Sequence, residues 1–140
     1  MQQVSLVLNI HDESRFLVRT LVSLEHAVRF ARRLGIESEL ILVMDRPDAA
    51  TERLARAYDY SAFGEARLLK VDNGSLGPSR NDGVRAAGGR YVWLCDGDDL
   101  VSYNALAEMH RVAEQSAVPS IVYPEYLLSF GDSYFLTRYF

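Results

Sequence analysis

The chain has 140 residues, enough for one domain around one core and too few for two. Its net charge of −4, with no basic run interleaved with aromatics, excludes a nucleic-acid-binding face, and 49% hydrophobic with 24% charged residues is the balance of a globular domain. A lone cysteine, Cys95, excludes an internal disulfide framework; no basic-then-apolar leader is present and no run nears the roughly 20 apolar residues that span a bilayer, so a cytoplasmic setting is the expectation.

Val4 to Leu8 is a short apolar run, the pattern of a strand covered on both faces. Leu17, Leu21, Leu24, Val28 and Ala31 then step by four and three along an amphipathic helix that Gly35 ends. The arginines on its other faces (Arg15, Arg19, Arg29, Arg32 and Arg33) read as solvated. Attraction to anionic lipid at the inner face of a membrane, or to a partner or second copy, is the alternative. Leu40 to Met44 is a second buried strand, and Asp45-Arg46-Pro47-Asp48 turns the chain into a helix reaching about Tyr58.

Ala66 to Val71 reads as a third strand, followed by an Asn73-to-Pro78 loop with Pro78 at the first position of a helix reaching Ala87. Gly88-Gly89 stops that helix, and Tyr91 to Cys95 forms a fourth buried strand. A helix over Tyr103 to Gln115 and a strand over Ser120 to Tyr123 are expected next. The tail, Glu125 to Phe140, is rich in Tyr and Phe and fits strand or helix. Such alternation predicts an α/β fold, Rossmann-like and doubly wound, with a mainly parallel sheet in the order 3-2-1-4 and further strands after it. Ligands bind such sheets beyond the carboxyl ends of the strands, where the winding reverses, here between strands one and four.

That edge collects carboxylates. Strand four delivers Asp96, Gly97, Asp98 and Asp99, strand one delivers Asn9, Ile10, His11, Asp12 and Glu13, and strand two delivers Asp45. So many acids require a counter-charge, and oxygen-only ligands suit Mg²⁺ or Mn²⁺ shared with a diphosphate. A D-x-D alone is equally the mark of a solvated turn; its place at the switch point favours metal, with Asp98 and Asp96 as ligands. The free N–H groups leading into the third helix suit an anion or a polar ligand edge. His26 and His110 read as surface residues, and Cys95 as a buried inert thiol.

The segments VSLVLNIHDE, ELILVMD and NGSLGPSRNDGVRAAGGRYVWLCDGDD together resemble the nucleotide-binding half of the family 2 inverting glycosyltransferases, which have the GT-A fold. The resemblance covers about residues 3 to 116 and implies transfer of a sugar from a nucleotide-diphospho-sugar, UDP-linked in most cases, to an acceptor hydroxyl of a glycan or other molecule. It implies that Asp45 accepts the base-ring N–H, that Asn9 to Glu13 lie against base and ribose, and that Asp96 sits near ribose and sugar. Asp98 would bind the metal, and Arg80 and Asn81 would lie near the donor. Asn9-Ile10-His11-Asp12 and Met44-Asp45-Arg46-Pro47 depart from the family's usual Pro-Thr-Tyr-Asn and Asp-Asp-Gly-Ser runs.

Family members carry their catalytic base in an acceptor half downstream of the acidic loop. Residues 1 to 140 are therefore expected to form a single donor-binding domain truncated before that half, with the base outside the chain; Glu125 and Asp132 sit in no recognisable base motif. A non-catalytic nucleotide-binding module is the second reading. A phosphotransfer domain is disfavoured because Lys70, the only lysine, precedes Asp72 rather than following it on a later strand.

Overall fold

The structure, a computed structural model, describes residues 3–130 and 133–137. Four parallel strands, β1 (Val4–Ile10), β2 (Ser38–Asp45), β3 (Glu65–Val71) and β4 (Tyr91–Asp96), form one sheet in the order β3-β2-β1-β4. The helices are α1 (Leu17–Arg33), α2 (Ala49–Ala57), α3 (Leu76–Ala86) and α4 (Ala105–Glu114), with a 3-10 turn at Ser61–Phe63. The order is the one that the sequence pattern predicts, because right-handed crossovers leave few other arrangements. No helix among the described residues is long and apolar enough to cross a membrane.

Every residue of β1 and β2 is buried, as expected of central strands in a doubly wound sheet. The larger core lies on one face, where Leu6, Leu8, Leu40, Leu42 and Met44 meet Leu17, Leu21, Leu24 and Val28 of α1, Ala55 of α2 and Leu106 of α4. On the other face Val7, Ile41 and Val43 are covered by α3, which approaches closely at Gly83. A Cβ there would lie 2.3 Å from Val7 Cγ1 and 3.0 Å from Val43 Cγ2, so only glycine lets the helix settle.

Several expectations are corrected. β4 is not buried throughout: Val92 and Leu94, which stand on the α3 side of this edge strand, are 39% and 44% exposed. α3 begins at Leu76, so Pro78 is its third residue; a proline in the first turn loses no intrahelical bond, so the first position has no unique claim on it. No strand forms over Ser120 to Tyr123, where Ile121 and Tyr123 are 78% and 72% exposed and no ladder partner is available. The tail instead forms an antiparallel hairpin of β5 (Tyr126–Phe130) and β6 (Ser133–Thr137), a sheet of its own. Asp132 lies outside the described residues.

The α3–β4 connection is locked from below. The buried Glu39 carboxylate accepts from Ser5 Oγ at 2.6 Å, from the Gly88 N–H at 2.7 Å and from Arg67 Nη2 at 2.6 Å. The Gly89 N–H donates to Ser5 Oγ at 2.8 Å. Burial pushes the Glu39 carboxyl up, but these bonds and the Arg67 charge outweigh it and hold the group below its ordinary range. A Cβ on Gly89 would lie 2.8 Å from Ser5 N and 2.9 Å from the Val4 carbonyl carbon, whereas one on Gly88 would meet only Glu39 Oε1 at 3.3 Å. Gly89→Ala is therefore expected to destabilise by about 3 kcal/mol, the upper part of the overpacking range, and Gly88→Ala by clearly less. Urea unfolding measures both, and equal losses would contradict the close approach as the cause.

Candidate functional site

Three strand ends and one helix start build a cavity of about 500 Å³ at the carboxyl edge of the sheet. Its acidic end is the turn after β4. The Gly97 N–H donates to the Asn9 carbonyl at 3.0 Å, and a Cβ on Gly97 would lie 2.6 Å from Ile10 Cγ2. From α1, the buried Thr20 hydroxyl donates to the Gly97 carbonyl at 2.9 Å. The turn is thus pinned from two elements, with Asp96 and Asp98 both lining the cavity.

Part of the counter-charge comes from the protein itself. Arg80 Nη2 donates to Asp96 Oδ1 at 2.7 Å and to Oδ2 at 2.8 Å, reaching down from α3. Asp98 is exposed and has no hydrogen bond or ion pair among the described residues. Negative charge nearby remains uncompensated. Burial, then Asp98 and Asp96, push the Asp99 carboxyl up, and burial followed by Asp98 and Asp12 does the same to Glu13 against a hydrogen bond from the His11 amide.

Among the described residues no three His, Cys, Asp or Glu side chains are grouped to hold a metal. An all-protein cage is therefore not what these residues offer. Mg²⁺ and Mn²⁺ commonly take one or two carboxylates and complete their shell with phosphate oxygens and water, and the open Asp98 beside Asp96 fits that pattern. Asn9, paired in register with Asp96 and 5% exposed, finds no partner among the described residues for either polar atom of its amide. The same is true of Arg80 Nε. Orphaned polar atoms on both sides of Asp96 fit a crevice completed by a polar ligand.

The other end of the cavity is built on Asp45, 8% exposed at the tip of β2. One oxygen accepts from the Asn73 and Gly74 amides at 2.9 and 3.0 Å; the other accepts from the Ser75 amide at 3.1 Å and Ser79 Oγ at 2.8 Å. Burial pushes this carboxyl up, but the bonds from Gly74, Ser79, Asn73 and Ser75 prevail and hold it low. The amides of Asn73, Gly74 and Ser75, just before α3, converge on this internal carboxylate. All four lone-pair directions of Asp45 are occupied, so a base N–H would have to displace one of these donors. Asp45 braces the β3–α3 turn.

His11 lies over the same tip, its Nδ1 2.6 Å from the Asp45 carbonyl oxygen, a contact that pushes the imidazole pKa up. Asn9, Ile10, His11, Glu13, Asp45, Asp96 and Asp98 all line the cavity. Arg80 reaches it through Asp96, whereas Asp12, which accepts from the Asp48 amide at 2.9 Å, and the exposed Asn81 are not among its lining. Sequence reasoning brought the loop from Asn73 to Asn81 to this edge without singling out Gly74, Ser75, Leu76 and Ser79, and it missed Arg46 as a wall of the cavity. Asn-Gly-Ser after a strand was the available signal for the turn; nothing local marks Ser79 as a partner of Asp45. His110 is also corrected: its side chain is 12% exposed, packed edge-on against Tyr91 at 5.6 Å.

A parallel α/β sheet in the order 3-2-1-4, with an acidic turn after β4 and a braced loop after β3, has the GT-A type of fold. The model of the family described as Glycosyl transferase family 2 matches residues 5–138, and the chain belongs to that family. It is 32% identical over 115 residues to the uncharacterized glycosyltransferase EpsJ of Bacillus subtilis (strain 168), covering 81% of this chain and 31% of that protein. The glycosyltransferase GlyG of Streptococcus pneumoniae serotype 4 is 24% identical over 135 residues, covering 94% of this chain and 42% of that protein. Among solved structures, S. aureus TarS 1-349 in complex with UDP-GlcNAc superposes with a TM-score of 0.68 at 18% identity, over 81% of this chain and 32% of that one. The chain thus spans less than half the length of these relatives.

Proposed function

We propose that this chain is the donor-binding part of a glycosyltransferase that takes a nucleotide-diphospho-sugar, with UDP as the nucleotide, and transfers the sugar to a hydroxyl with inversion. The observation that carries this reading is the meeting, in one cavity of a family 2 chain, of the open Asp98 carboxylate, the orphaned Asn9 amide and the braced β3–α3 turn. TarS, which shares the fold, is described in complexes with UDP and with UDP-GlcNAc.

The geometry supports the following division of labour. Asp98 and Asp96 would hold Mn²⁺ or Mg²⁺ in the acidic turn. When bound, the metal supplies positive charge against the charge developing on the departing diphosphate. Arg80 orients Asp96, Thr20 and Ile10 fix the turn that carries Asp98, and Asn9 offers its amide to the ligand's hydroxyl or phosphate oxygens. The acceptor hydroxyl would give its proton to a general base, a role not assigned to Glu125, which lies on the segment after α4 and does not line the cavity. Calorimetric titration of the chain with UDP, with and without Mn²⁺, tests the reading: UDP is expected to bind only with the metal. Absence of binding, or binding indifferent to the metal, would sink it.

A further inference from the structure

α1 carries a face that the cavity does not use. From Arg15 to Arg33 the chain has five arginines and one acid, Glu25, in a protein whose net charge is −4. Arg15, Arg19, Val22, His26, Arg29 and Arg33 step by four and three, so they stack along one side of the helix in a stripe roughly 25 Å long. All six are exposed, and none lines the cavity. Arg29 pairs with Glu25 at 2.7 Å, but Arg15, Arg19 and Arg33 form no ion pair among the described residues. Apolar groups border the stripe. Phe16, Val18 and Leu34 are exposed beside it, and the Arg15 guanidinium sits over the Phe16 ring at 5.8 Å. On the flank, the loop after the acidic turn adds the exposed Leu100 and Tyr103. That loop is held to α1 by the Val101 N–H, which donates to Ser23 Oγ at 3.2 Å, and by Tyr103, edge-on against Phe30 at 5.1 Å.

We infer that this side of α1 docks on the anionic surface of a lipid bilayer. Cations gathered on one helix face of an otherwise acidic protein are complementary to a sheet of negative charge. Unpaired guanidinium groups suit lipid phosphates, which they meet with a planar fork of N–H donors. The exposed apolar border favours a bilayer over a soluble polyanion. Phe16, Val22, Leu100 and Tyr103 gain at the headgroup boundary, whereas a polyanion in solution offers them nothing. The opposite face of α1 is committed to the core through Leu17, Leu21, Leu24 and Val28, so the helix lies on the bilayer without sinking into it. Attachment is therefore electrostatic with shallow apolar contact, and salt weakens it. α1 follows directly on Glu13, a wall of the cavity, so docking keeps the cavity's edge close to the membrane. This surface stands whether or not the cavity takes UDP.

Co-sedimentation with vesicles tests the assignment. Vesicles of equimolar phosphatidylglycerol and phosphatidylcholine are expected to carry down the wild-type chain at low salt, and vesicles of phosphatidylcholine alone to leave it in solution. An arginine near such a surface is worth about fivefold in partitioning, so Arg15→Gln, Arg19→Gln and Arg33→Gln together are expected to weaken binding by roughly 100-fold. Thermal melts of that triple variant should match the wild type, because no ion pair of the fold is lost. Val22→Ser is expected to weaken vesicle binding by about fourfold, the worth of one buried methylene, and to leave binding of soluble polyphosphate unchanged. No sedimentation of the wild type with anionic vesicles, equal sedimentation with neutral ones, or undiminished binding by the triple variant would overturn the membrane assignment. So would polyphosphate bound as tightly as the vesicles with Val22→Ser indifferent to both, which would make the stripe a general polyanion site.

Discussion

Replacing Asp98 with Asn is expected to lower UDP affinity in Mn²⁺ by at least about 100-fold, beyond what the loss of an outer-shell partner does, and to leave stability unchanged or slightly raised. The two halves of that expectation have separate causes. Asp98 has no hydrogen bond or ion pair among the described residues, so the fold loses nothing with its charge. Its negative field pushes up the carboxyls of Asp99 and Glu13, so removing it relieves repulsion. Asp96→Asn should behave differently, because it also weakens the grip on Arg80 and so should lower thermal stability as well as binding. Titration calorimetry with paired thermal melts distinguishes the two variants. Equal UDP binding by Asp98→Asn and the wild type would remove the metal role proposed for this turn.

A stability effect as large as that of Gly89→Ala is expected at Asp45. Asp45→Asn keeps the size of the side chain but sets an NH₂ against two of the four donors that the carboxylate now serves. A buried network broken in this way typically loses about 3 kcal/mol, worth roughly 10 °C in melting temperature for a domain of this size. The pH dependence has a definite sign. The folded carboxyls of Asp45 and Glu39 are held below their ordinary values, so their contribution is fully present above about pH 4 to 5, near the unfolded values. It is lost as pH falls through the depressed folded values. Urea unfolding at neutral and acidic pH should therefore show the variant losing less on acidification than the wild type. Parallel acid losses in both would remove Asp45 from that account.

The sheet was legible because buried runs and amphipathic helices alternate over β1 to β4, and handedness does the rest. The acidic turn was legible because topology alone carries Asp96 to Asp99 to the switch point. Partnerships were not. Arg80 and Asp96 are 16 residues apart, and Asp45 meets its donors 28 to 34 residues away, so neither pairing leaves a local pattern. Asp45 illustrates the difficulty: a carboxylate at a strand tip reads as a cavity residue, but nothing local marks the four internal donors that also meet it. Arg46 was hidden for another reason, since a left-handed arginine, here at φ 49°, has no sequence signature. Ser120 to Tyr123 failed in the opposite direction, because β-branched and aromatic residues after a proline look like a strand whether or not a partner exists.

α3 spans about 16 Å at the usual rise per residue. At its front, Ser79 is tied to the brace at β2; one residue on, Arg80 grips the acid at β4; behind its far end, Gly88 and Gly89 are clamped to Glu39 and Ser5. The helix therefore works as a stiff lever whose rear fastening sets the aim of its front. Damage at the Gly-Gly hinge would misalign both walls of the crevice together, from the opposite side of the sheet's length, without touching any group that a ligand meets.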